Sequence, residues 1–356
     1  MTSKERQLRF WLERDHNMSK HQVAVLGSGS WGTAIAQVLA DNQVPVYLYG
    51  RNQSEVDEIN QKHTNSKFFE GIEINPNIVA TTDLTIVKDC DIVVLAVPTI
   101  AVEQICTSID SSLQEKTIVV NLSKGFHPVT NERMSEVIRH SISEEKLSSV
   151  VSLIGPSHAE EVILRQLTSI DAVSLKLEDA TIVQQVFSNE YLRIYTGSDE
   201  VGSEIGAALK NVMAIASGIL SGLGYHDNTR AALITRGLQE MIRFGVFFGG
   251  KPKTFNGLTG IGDLIVTCSS IHSRNWQAGY KIGKDNSVEP FLKENKKTVE
   301  GVRTAKIVHE IAMKNGIDMP ICEEVYQILY NGKQPNTCAK DLMLRDLKEE
   351  FTWQNS

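Results

Sequence analysis

In the first half of the chain, hydrophobic residues fall in short runs separated by stretches with helical spacing. Six runs predict buried strands: Val23–Leu26, Val46–Tyr49, Ile78–Ala80, Ile92–Val97, Thr117–Asn121 and Val150–Ile154. Between them, apolar residues three or four positions apart predict helices, for example over Ser54–Lys62, Ile100–Ile109 and Asn131–Ile142. This alternation is typical of an α/β fold in which a mostly parallel sheet carries helices on both faces.

From about residue 198 the pattern changes to long helical stretches with few strand signals. We therefore predict an N-terminal extension over 1–20, an α/β domain over 21–197 and an all-helical domain over 198–348. The extension lacks the apolar core of a secretory signal. The longest apolar stretch, Ile205–Tyr225, is interrupted by Lys210, Asn211 and several small residues, so no integral membrane association is expected.

The first predicted strand leads into a glycine motif, Gly27-Ser28-Gly29-Ser30-Trp31-Gly32, that opens a helix. In such motifs the first glycine permits a tight turn and the second lets a pyrophosphate approach the backbone. The third allows the helix to pack closely on the strand. Since free N–H groups at a helix start favour anionic phosphates, the motif predicts a doubly wound Rossmann domain that binds a dinucleotide.

The end of the second strand bears on which dinucleotide is bound. An NAD-specific domain usually places an acidic residue here to bind the ribose hydroxyl, whereas an arginine accommodates the 2′-phosphate of NADP. This chain has Arg51. The residue therefore favours NADPH, with NAD still possible, and the alternative is a solvated loop arginine.

Lys210 is the only residue with a permanent charge between Glu204 and Asp227, in a helix rich in small and apolar residues. Burying an unpaired ammonium is costly, so this lysine needs an anionic partner or a role in proton transfer. The alternative is a lysine at a helix edge whose ammonium reaches solvent. Asp263 is a candidate partner, because it is the only charge between Lys253 and Arg274, although it could equally cap a helix.

Charge and composition limit the kinds of ligand that the protein is expected to bind. The 356 residues carry a net charge of -7, which gives no electrostatic reason to expect nucleic acid. Any phosphate site must be local, and Ser273-Arg274-Asn275 is a candidate because arginine presents a planar fork suited to phosphate. The five cysteines are scattered, which favours reduced thiols and a cytoplasmic location, and neither they nor the histidines have metal-site spacing.

Several motifs together resemble the bacterial NAD(P)-dependent sn-glycerol-3-phosphate dehydrogenase family. They occur in order over about residues 21 to 348: 27–34, Gly155-Pro-Ser-His-Ala-Glu-Glu-Val162, Leu209-Lys-Asn-Val212, Asn228-Thr-Arg-Ala-Ala-Leu-Ile-Thr-Arg-Gly237, 257–270 and Ser273-Arg-Asn275. The resemblance implies reversible reduction of dihydroxyacetone phosphate to sn-glycerol 3-phosphate, with NADP or NAD as cofactor. It also implies a supply role in phospholipid synthesis and a homodimer.

The resemblance also implies residue roles. Lys210 matches the proton donor and acceptor, and Lys124 matches a lysine near both nicotinamide and substrate. Arg274 matches the residue that holds the substrate phosphate. The remaining substrate-side positions are Gly155, Ser157, Asn211, Asp263, Thr267, Ser273 and Asn275. The cofactor-side positions are Gly27, Gly29, Ser30, Trp31, Gly32, Arg51, Lys124, Ala159, Arg274, Thr298 and Glu300. No metal is implied.

Three features depart from the family pattern: His158 stands where members vary, often with Phe; Ser221 takes a place often held by Asp; and residues 1–17 have no counterpart. None of these removes a predicted catalytic residue. Two alternatives stay open at this stage. One is another two-domain reductase, of the 3-hydroxy-acid or ketopantoate type, and the other is a non-catalytic NADP-binding sensor.

Overall fold

A computed structural model describes residues 21–113, 116–295 and 298–350. The extension predicted over 1–20 lies outside these residues. The chain forms two compact units. Among the described residues, the first comprises 21–210 together with Met241–Thr267, and the second comprises Asn211–Glu240 together with 268–350.

The first unit contains an eight-stranded sheet, which confirms the predicted α/β class. Its strands are β1 (Val23–Leu26), β2 (Val46–Tyr49), β3 (Ile78–Thr81), β4 (Ile92–Leu95), β5 (Thr117–Asn121), β6 (Leu147–Ile154), β7 (Thr168–Val173) and β8 (Leu192–Gly197). Their order is β3-β2-β1-β4-β5-β6-β7-β8. Every neighbouring pair is parallel except β6 and β7, which are antiparallel. The order reverses after β1, and ligands of such sheets bind beyond the carboxyl ends of the strands.

Helices connect these strands. They are α1 (Ser30–Asp41), α2 (Gln53–Lys62), α3 (Thr99–Asp110), α4 (Met134–Ser141), α5 (Ala159–Val162) and α6 (Leu177–Phe187), with a 3-10 turn over Leu84–Asp89. Two long helices, α7 (Glu200–Gly222) and α8 (Asp227–Phe247), have residues in both units. The first unit also includes α9 (Pro252–Phe255), a π-helical turn over Leu258–Gly262 and all but the last two residues of α10 (Asp263–Ser269).

The sheet has a hydrophobic core on each face. Val23 and Val25 of β1 belong to a cluster with residues of α1 and α6. Ala24 and Leu26 belong to a second cluster, with residues of α3 and α4. This division follows from strand geometry, since successive side chains point to opposite faces. Both faces are buried, so the strand is apolar throughout, which is why a continuous apolar run predicted it.

The second unit is helical in its described part. Besides its portions of α7 and α8 it contains α11 (Arg274–Asp285), α12 (Glu289–Glu294), α13 (Glu300–Asn315), α14 (Pro320–Asn331) and α15 (Pro335–Met343). Three of these helices begin with proline in the first turn, where the missing N–H costs nothing.

Helix α7 is long and apolar enough to cross a membrane by length and composition alone. However, 83% of its most apolar window is buried within the protein. The core helix of a soluble protein passes the same test, so this helix is weak evidence for a membrane span.

Candidate active site

The predicted dinucleotide motif forms a tight turn at the end of β1. Gly27 has a φ of 121°, a conformation that L side chains rarely adopt. A Cβ on Gly32 would lie 1.7 Å from the carbonyl oxygen of Gly27, so only glycine fits there. By contrast, a Cβ on Gly29 would meet nothing within 4 Å. The motif therefore combines two positions that require glycine with one that leaves open space beside the backbone.

Helix α1 begins at Ser30 directly after this open position. Gly29 is its N-cap, and no side-chain cap hydrogen bond is made there. The first-turn N–H groups, with the positive end of the helix dipole, are thus suited to phosphate oxygens. The residues present fit a dinucleotide pyrophosphate, because the turn offers both the space and the donors that it needs.

Arg51 lies just beyond the end of β2, and its side chain is exposed. The preceding residue, Gly50, lies beside the glycine motif, since a Cβ on it would be 2.7 Å from Ser28 Oγ. Helix α2 then begins, capped by Asn52, whose side chain accepts a hydrogen bond from Ser54 N. Arg51 therefore directly follows a residue that lies against the dinucleotide turn.

Lys210 forms a buried ion pair, as its sequence context predicted. Its Nζ donates to Asp263 Oδ1 at 2.5 Å and to Thr267 Oγ1 at 3.1 Å. Lys210 is 6% exposed and Asp263 is 1% exposed. The Thr267 hydroxyl in turn donates to the carbonyl oxygen of Asp263 at 2.6 Å. Hydrogen bonds to a buried charge fix its direction, so the ammonium of Lys210 has a defined orientation.

Lys124 is the second cation at the Asp263 carboxylate. It follows β5, and its Nζ lies 3.5 Å from Asp263 Oδ2 and 3.2 Å from the carbonyl oxygen of Gly155. The same oxygen accepts a hydrogen bond from Ser157 Oγ at 2.9 Å. Asp263 therefore lies between two lysines, and the arrangement has more positive than negative charge.

A cavity in the first unit joins this cluster to the glycine motif. The Lys124 ammonium lies 6.0 Å from the centroid of the Trp31 ring, within cation–π range. The cavity is lined by Trp31, Leu122, Lys124, Leu153, Ser157 and Ile170. Its lining is mainly apolar, and Lys124 and Ser157 supply the polar groups.

His158 lies next to this cluster, just before the short helix α5 that begins with buried Ala159. Burial lowers the pKa of its imidazole, and the positive charges of Lys210 and Lys124 act in the same direction. The histidine is therefore neutral near pH 7. A third positive charge beside the two lysines is avoided.

The second unit holds a separate polar chain at the beginning of α13. Asn211 Oδ1 accepts a hydrogen bond from Asn275 Nδ2 at 3.0 Å, and Asn275 Oδ1 accepts one from Gly301 N at 2.9 Å. Asn211 Nδ2 is buried and has no hydrogen-bond partner among the described residues. A buried amide donor of this kind is costly unless a ligand satisfies it.

The Ser273-Arg274-Asn275 triplet begins α11. Ser273 Oγ accepts from Trp276 N at 3.3 Å and so caps the helix. The exposed Arg274 approaches the carbonyl oxygen of Thr298 through Nη1 at 3.4 Å. Glu300 follows two residues later as the first residue of α13. The structure thus joins the triplet to the 298–301 stretch, a link that spacing alone did not predict.

Sequence reasoning missed two features of the site. One is the hydrogen-bonded chain from Asn211 to Gly301, whose members are far apart in sequence. The other is the contact between Lys124 and Asp263: the sequence places Lys124 in a loop after a strand end, where ligands of such sheets bind, but it indicates no partner for the lysine. Within the described residues, no group of three or more His, Cys, Asp and Glu side chains could hold a metal ion.

Comparisons with known proteins cover almost the whole chain. Residues 22–180 match the model of the NAD-dependent glycerol-3-phosphate dehydrogenase N-terminus, and residues 199–340 match that of its C-terminus. The glycerol-3-phosphate dehydrogenase [NAD(P)+] of Enterococcus faecalis is 48% identical over 332 residues, which cover 93% of this chain and 98% of that protein. The counterpart from Listeria monocytogenes is 49% identical over 334 residues, covering 94% and 99%.

A solved structure gives the same result. The crystal structure of glycerol-3-phosphate dehydrogenase from Coxiella burnetii superposes with a TM-score of 0.84 at 31% identity. The match covers 91% of this chain and 99% of that chain. The chain therefore belongs to the NAD-dependent glycerol-3-phosphate dehydrogenase family, and it is an oxidoreductase with a small-molecule substrate.

Proposed function

We propose that the protein catalyses the NAD(P)H-dependent, reversible reduction of dihydroxyacetone phosphate to sn-glycerol 3-phosphate. The observation that carries the proposal is the buried Lys210–Asp263 ion pair, with Lys124 on the second oxygen of the same carboxylate. A ketone reduction needs a proton donor at the carbonyl oxygen. An oriented ammonium in a water-poor site meets that need.

The reaction is a hydride transfer, and a bound nicotinamide cofactor would supply the hydride. Lys210 donates a proton to the carbonyl oxygen of the substrate as that oxygen gains negative charge, and in the reverse direction it accepts the proton. Asp263 and Thr267 hold the ammonium in one direction. Lys124 and the Asn211 amide stabilise the developing negative charge, since fixed donors aimed at a growing charge favour the transition state.

The cofactor is proposed to bind at the turn between β1 and α1, with its pyrophosphate on the N-terminus of α1. Arg51 follows β2, and in this fold an arginine near that position accommodates a 2′-phosphate, so we propose NADPH as the preferred cofactor and NADH as an accepted one. Ala159, Thr298 and Glu300 are proposed to complete the cofactor side, on the basis of the family resemblance.

The decisive experiment follows oxidation of NADPH and of NADH at the nicotinamide absorbance, with dihydroxyacetone phosphate or plain dihydroxyacetone as substrate. We expect turnover with the phosphorylated ketone alone, and a faster rate with NADPH than with NADH. Cofactor binding without turnover of either ketone would contradict the proposed reaction. Equal rates with the two cofactors would contradict only the proposed role of Arg51 and would leave the proposed reaction standing.

Arg274 is proposed to hold the substrate phosphate. We expect Arg274→Ala to raise the KM for dihydroxyacetone phosphate roughly 10- to 100-fold, because a hydrogen bond to a charged group contributes about 1.5–3 kcal/mol. Initial rates at increasing substrate concentration measure this change. An exposed arginine of the same unit, Arg303, provides the matched control, and Arg303→Ala should leave KM unchanged. An unaltered KM in Arg274→Ala would show that the phosphate binds elsewhere.

We also propose that the product supplies glycerophospholipid synthesis and that the enzyme acts in the cytoplasm as a homodimer. These proposals rest on the family resemblance and, for location, on the scattered cysteines, which are buried and form no disulfide among the described residues. Light scattering of the purified protein tests the dimer, and a monomeric mass would refute it.

Depletion of the protein should lower phospholipid labelling from glucose, and unchanged labelling would refute the supply role.

A further inference from the structure

Helix α7, which carries Lys210, lies against the segment that carries Asp263, and the two are in register. Ser203 Oγ approaches Thr259 Oγ1 at 3.4 Å, and Lys210 reaches Asp263 and Thr267 further along. On α7 the contact residues Ser203 and Lys210 are seven positions apart, and on the facing segment Thr259, Asp263 and Thr267 follow one another at intervals of four, so each set lies along one face. The ion pair is therefore one contact in a longer interface within the first unit.

At Gly206 the backbone of the facing segment comes too close to α7 for a side chain. This glycine lies one helical turn before Lys210, on the same face of α7. A Cβ on Gly206 would lie 2.7 Å from the carbonyl oxygen of Thr259, closer than real side chains approach. Because the obstructing atom belongs to the backbone, no side-chain rotation could relieve the contact.

The Thr259 carbonyl has little room to move away. It belongs to the π-helical turn Leu258–Gly262, in which Gly262 N donates to Gly257 O. This turn is packed on the backbone of Phe255, whose side chain is completely buried. A Cβ on Gly260 would be 2.1 Å from the carbonyl oxygen of Phe255, so the turn is packed tightly on that side as well.

The turn leads directly into Asp263, the first residue of α10. π-helical turns are uncommon, and they occur frequently at functional sites. Any displacement of Thr259 away from α7 is transmitted to Asp263 through one turn of continuous helical backbone. The separation at Gly206 thus determines how closely the carboxylate of Asp263 can approach the ammonium of Lys210.

We infer that Gly206 is a positioning residue for the reduction. Its lack of a side chain lets α7 lie against the Thr259 carbonyl, and this contact places Lys210 against Asp263. Gly206 itself touches neither substrate nor cofactor in this scheme. The inference rests on the proposed role of Lys210 in proton transfer.

The test is Gly206→Ala, assayed for kcat, for NADPH binding and for the pH dependence of kcat. We expect kcat to fall about 10- to 100-fold, since a misplacement of about 1 Å can cost 100-fold. The NADPH Kd should stay within about twofold of the unaltered protein, because the dinucleotide turn is not touched. The pH profile of kcat should move to lower pH by about one unit, because a carboxylate held further away stabilises the ammonium less.

A purely structural role would give a different pattern. Alanine is the better helix former, so any loss of thermal stability would come from the contact with Thr259. A lower Tm with unchanged kcat and pH profile would overturn the inference. Gly262→Ala is the matched control, because it adds a methyl group to the π-helical turn that faces Gly206, where the nearest atom would be 3.6 Å away. It should keep kcat within about twofold. A loss in this control equal to that in Gly206→Ala would also overturn it.

A second measurement keeps the inference testable if Gly206→Ala is less stable. Below the Tm of the variant, circular dichroism gives its folded fraction, and kcat is expressed per folded molecule. We expect this kcat to stay low, because the folded variant holds Asp263 away from Lys210. A normal kcat per folded molecule would contradict positioning. Lys210→Ala, assayed in parallel, separates the two proposals: normal turnover there refutes the role of Lys210, whereas its loss beside a normal Gly206→Ala refutes only this inference.

Discussion

Replacing Lys210 by alanine is expected to lower kcat at least about 100-fold, since general acid catalysis contributes about 10²–10⁴-fold. The variant loses the proton donor and leaves the Asp263 carboxylate with Lys124, whose Nζ is 3.5 Å away, as its remaining cation. The dinucleotide turn is untouched. We therefore expect NADPH to bind with nearly unchanged affinity. Steady-state kinetics and a fluorescence titration of NADPH measure the two quantities on the same preparation.

The matched control is a lysine of the first unit that is also paired with an aspartate. Lys176 Nζ lies 3.1 Å from Asp179 Oδ1, and the lysine side chain is 45% exposed. Lys176→Ala should therefore keep normal turnover. Near-normal kcat in Lys210→Ala would contradict its role in proton transfer. A parallel loss of NADPH binding would indicate instead that the variant has lost its fold.

Much of the sheet could be predicted because each central strand is buried on both faces. The bounds predicted for β1, β2 and β5 are those observed. Strand β6 begins three residues earlier than predicted, at Leu147, because Ser148 and Ser149 interrupt the apolar run. Ser148 is accommodated by donating its hydroxyl to Asp179 Oδ2 at 2.7 Å. A polar residue with a partner far along the chain hides a strand from any local pattern.

Strands β7 and β8 were not predicted, for a related reason. β7 contains Asp171 in its middle, and burial raises the pKa of this carboxyl to about 6. β8 is the edge of the sheet and alternates buried with exposed residues, among them Arg193 and Tyr195. Their placement depends on pairing with β6 and with each other, which a single-sequence pattern does not contain. The predicted helix over Asn131–Ile142 is likewise shorter, Met134–Ser141, since Arg133 forms a bridge with Phe126.

The candidate site, like the sheet, was predicted only in part. Lys210 and Asp263 were predicted as partners because each is an isolated charge in an apolar stretch, and the structure places them in contact. The role of Gly206 had no such signal, because a glycine in a helix of small residues is unremarkable until the neighbouring backbone is seen. Charge can be predicted from local context, but close backbone approach cannot.

Replacing Glu204 by alanine is expected to lower the free energy of unfolding by about 3–5 kcal/mol, the usual cost of breaking a buried ion pair. Glu204 is 5% exposed and accepts hydrogen bonds from Arg133 Nη1 at 3.0 Å, Ser135 Oγ at 2.7 Å and Ser152 Oγ at 3.2 Å. It also accepts from Ser135 N at 3.1 Å, in the first turn of α4. Alanine leaves Ser135 N and the Ser152 hydroxyl without this acceptor, while Arg133 keeps Glu200 and Glu136 as ionic partners. Urea unfolding followed by circular dichroism measures the change.

The charge of Glu204 can be separated from its hydrogen bonds with Glu204→Gln and pH. Burial and the nearby charge of Glu200 raise the pKa of Glu204 to about 7, although Ser135 and Arg133 act in the opposite direction. A carboxyl whose pKa is about 4.5 in the unfolded chain then contributes stability that is fully present below pH 4.5 and is lost as the pH rises through about 7. Glutamine does not titrate. The unaltered protein should therefore lose stability relative to Glu204→Gln between pH 4.5 and 7. If the unaltered protein instead keeps or gains stability relative to Glu204→Gln over this range, Glu204 remains ionised throughout.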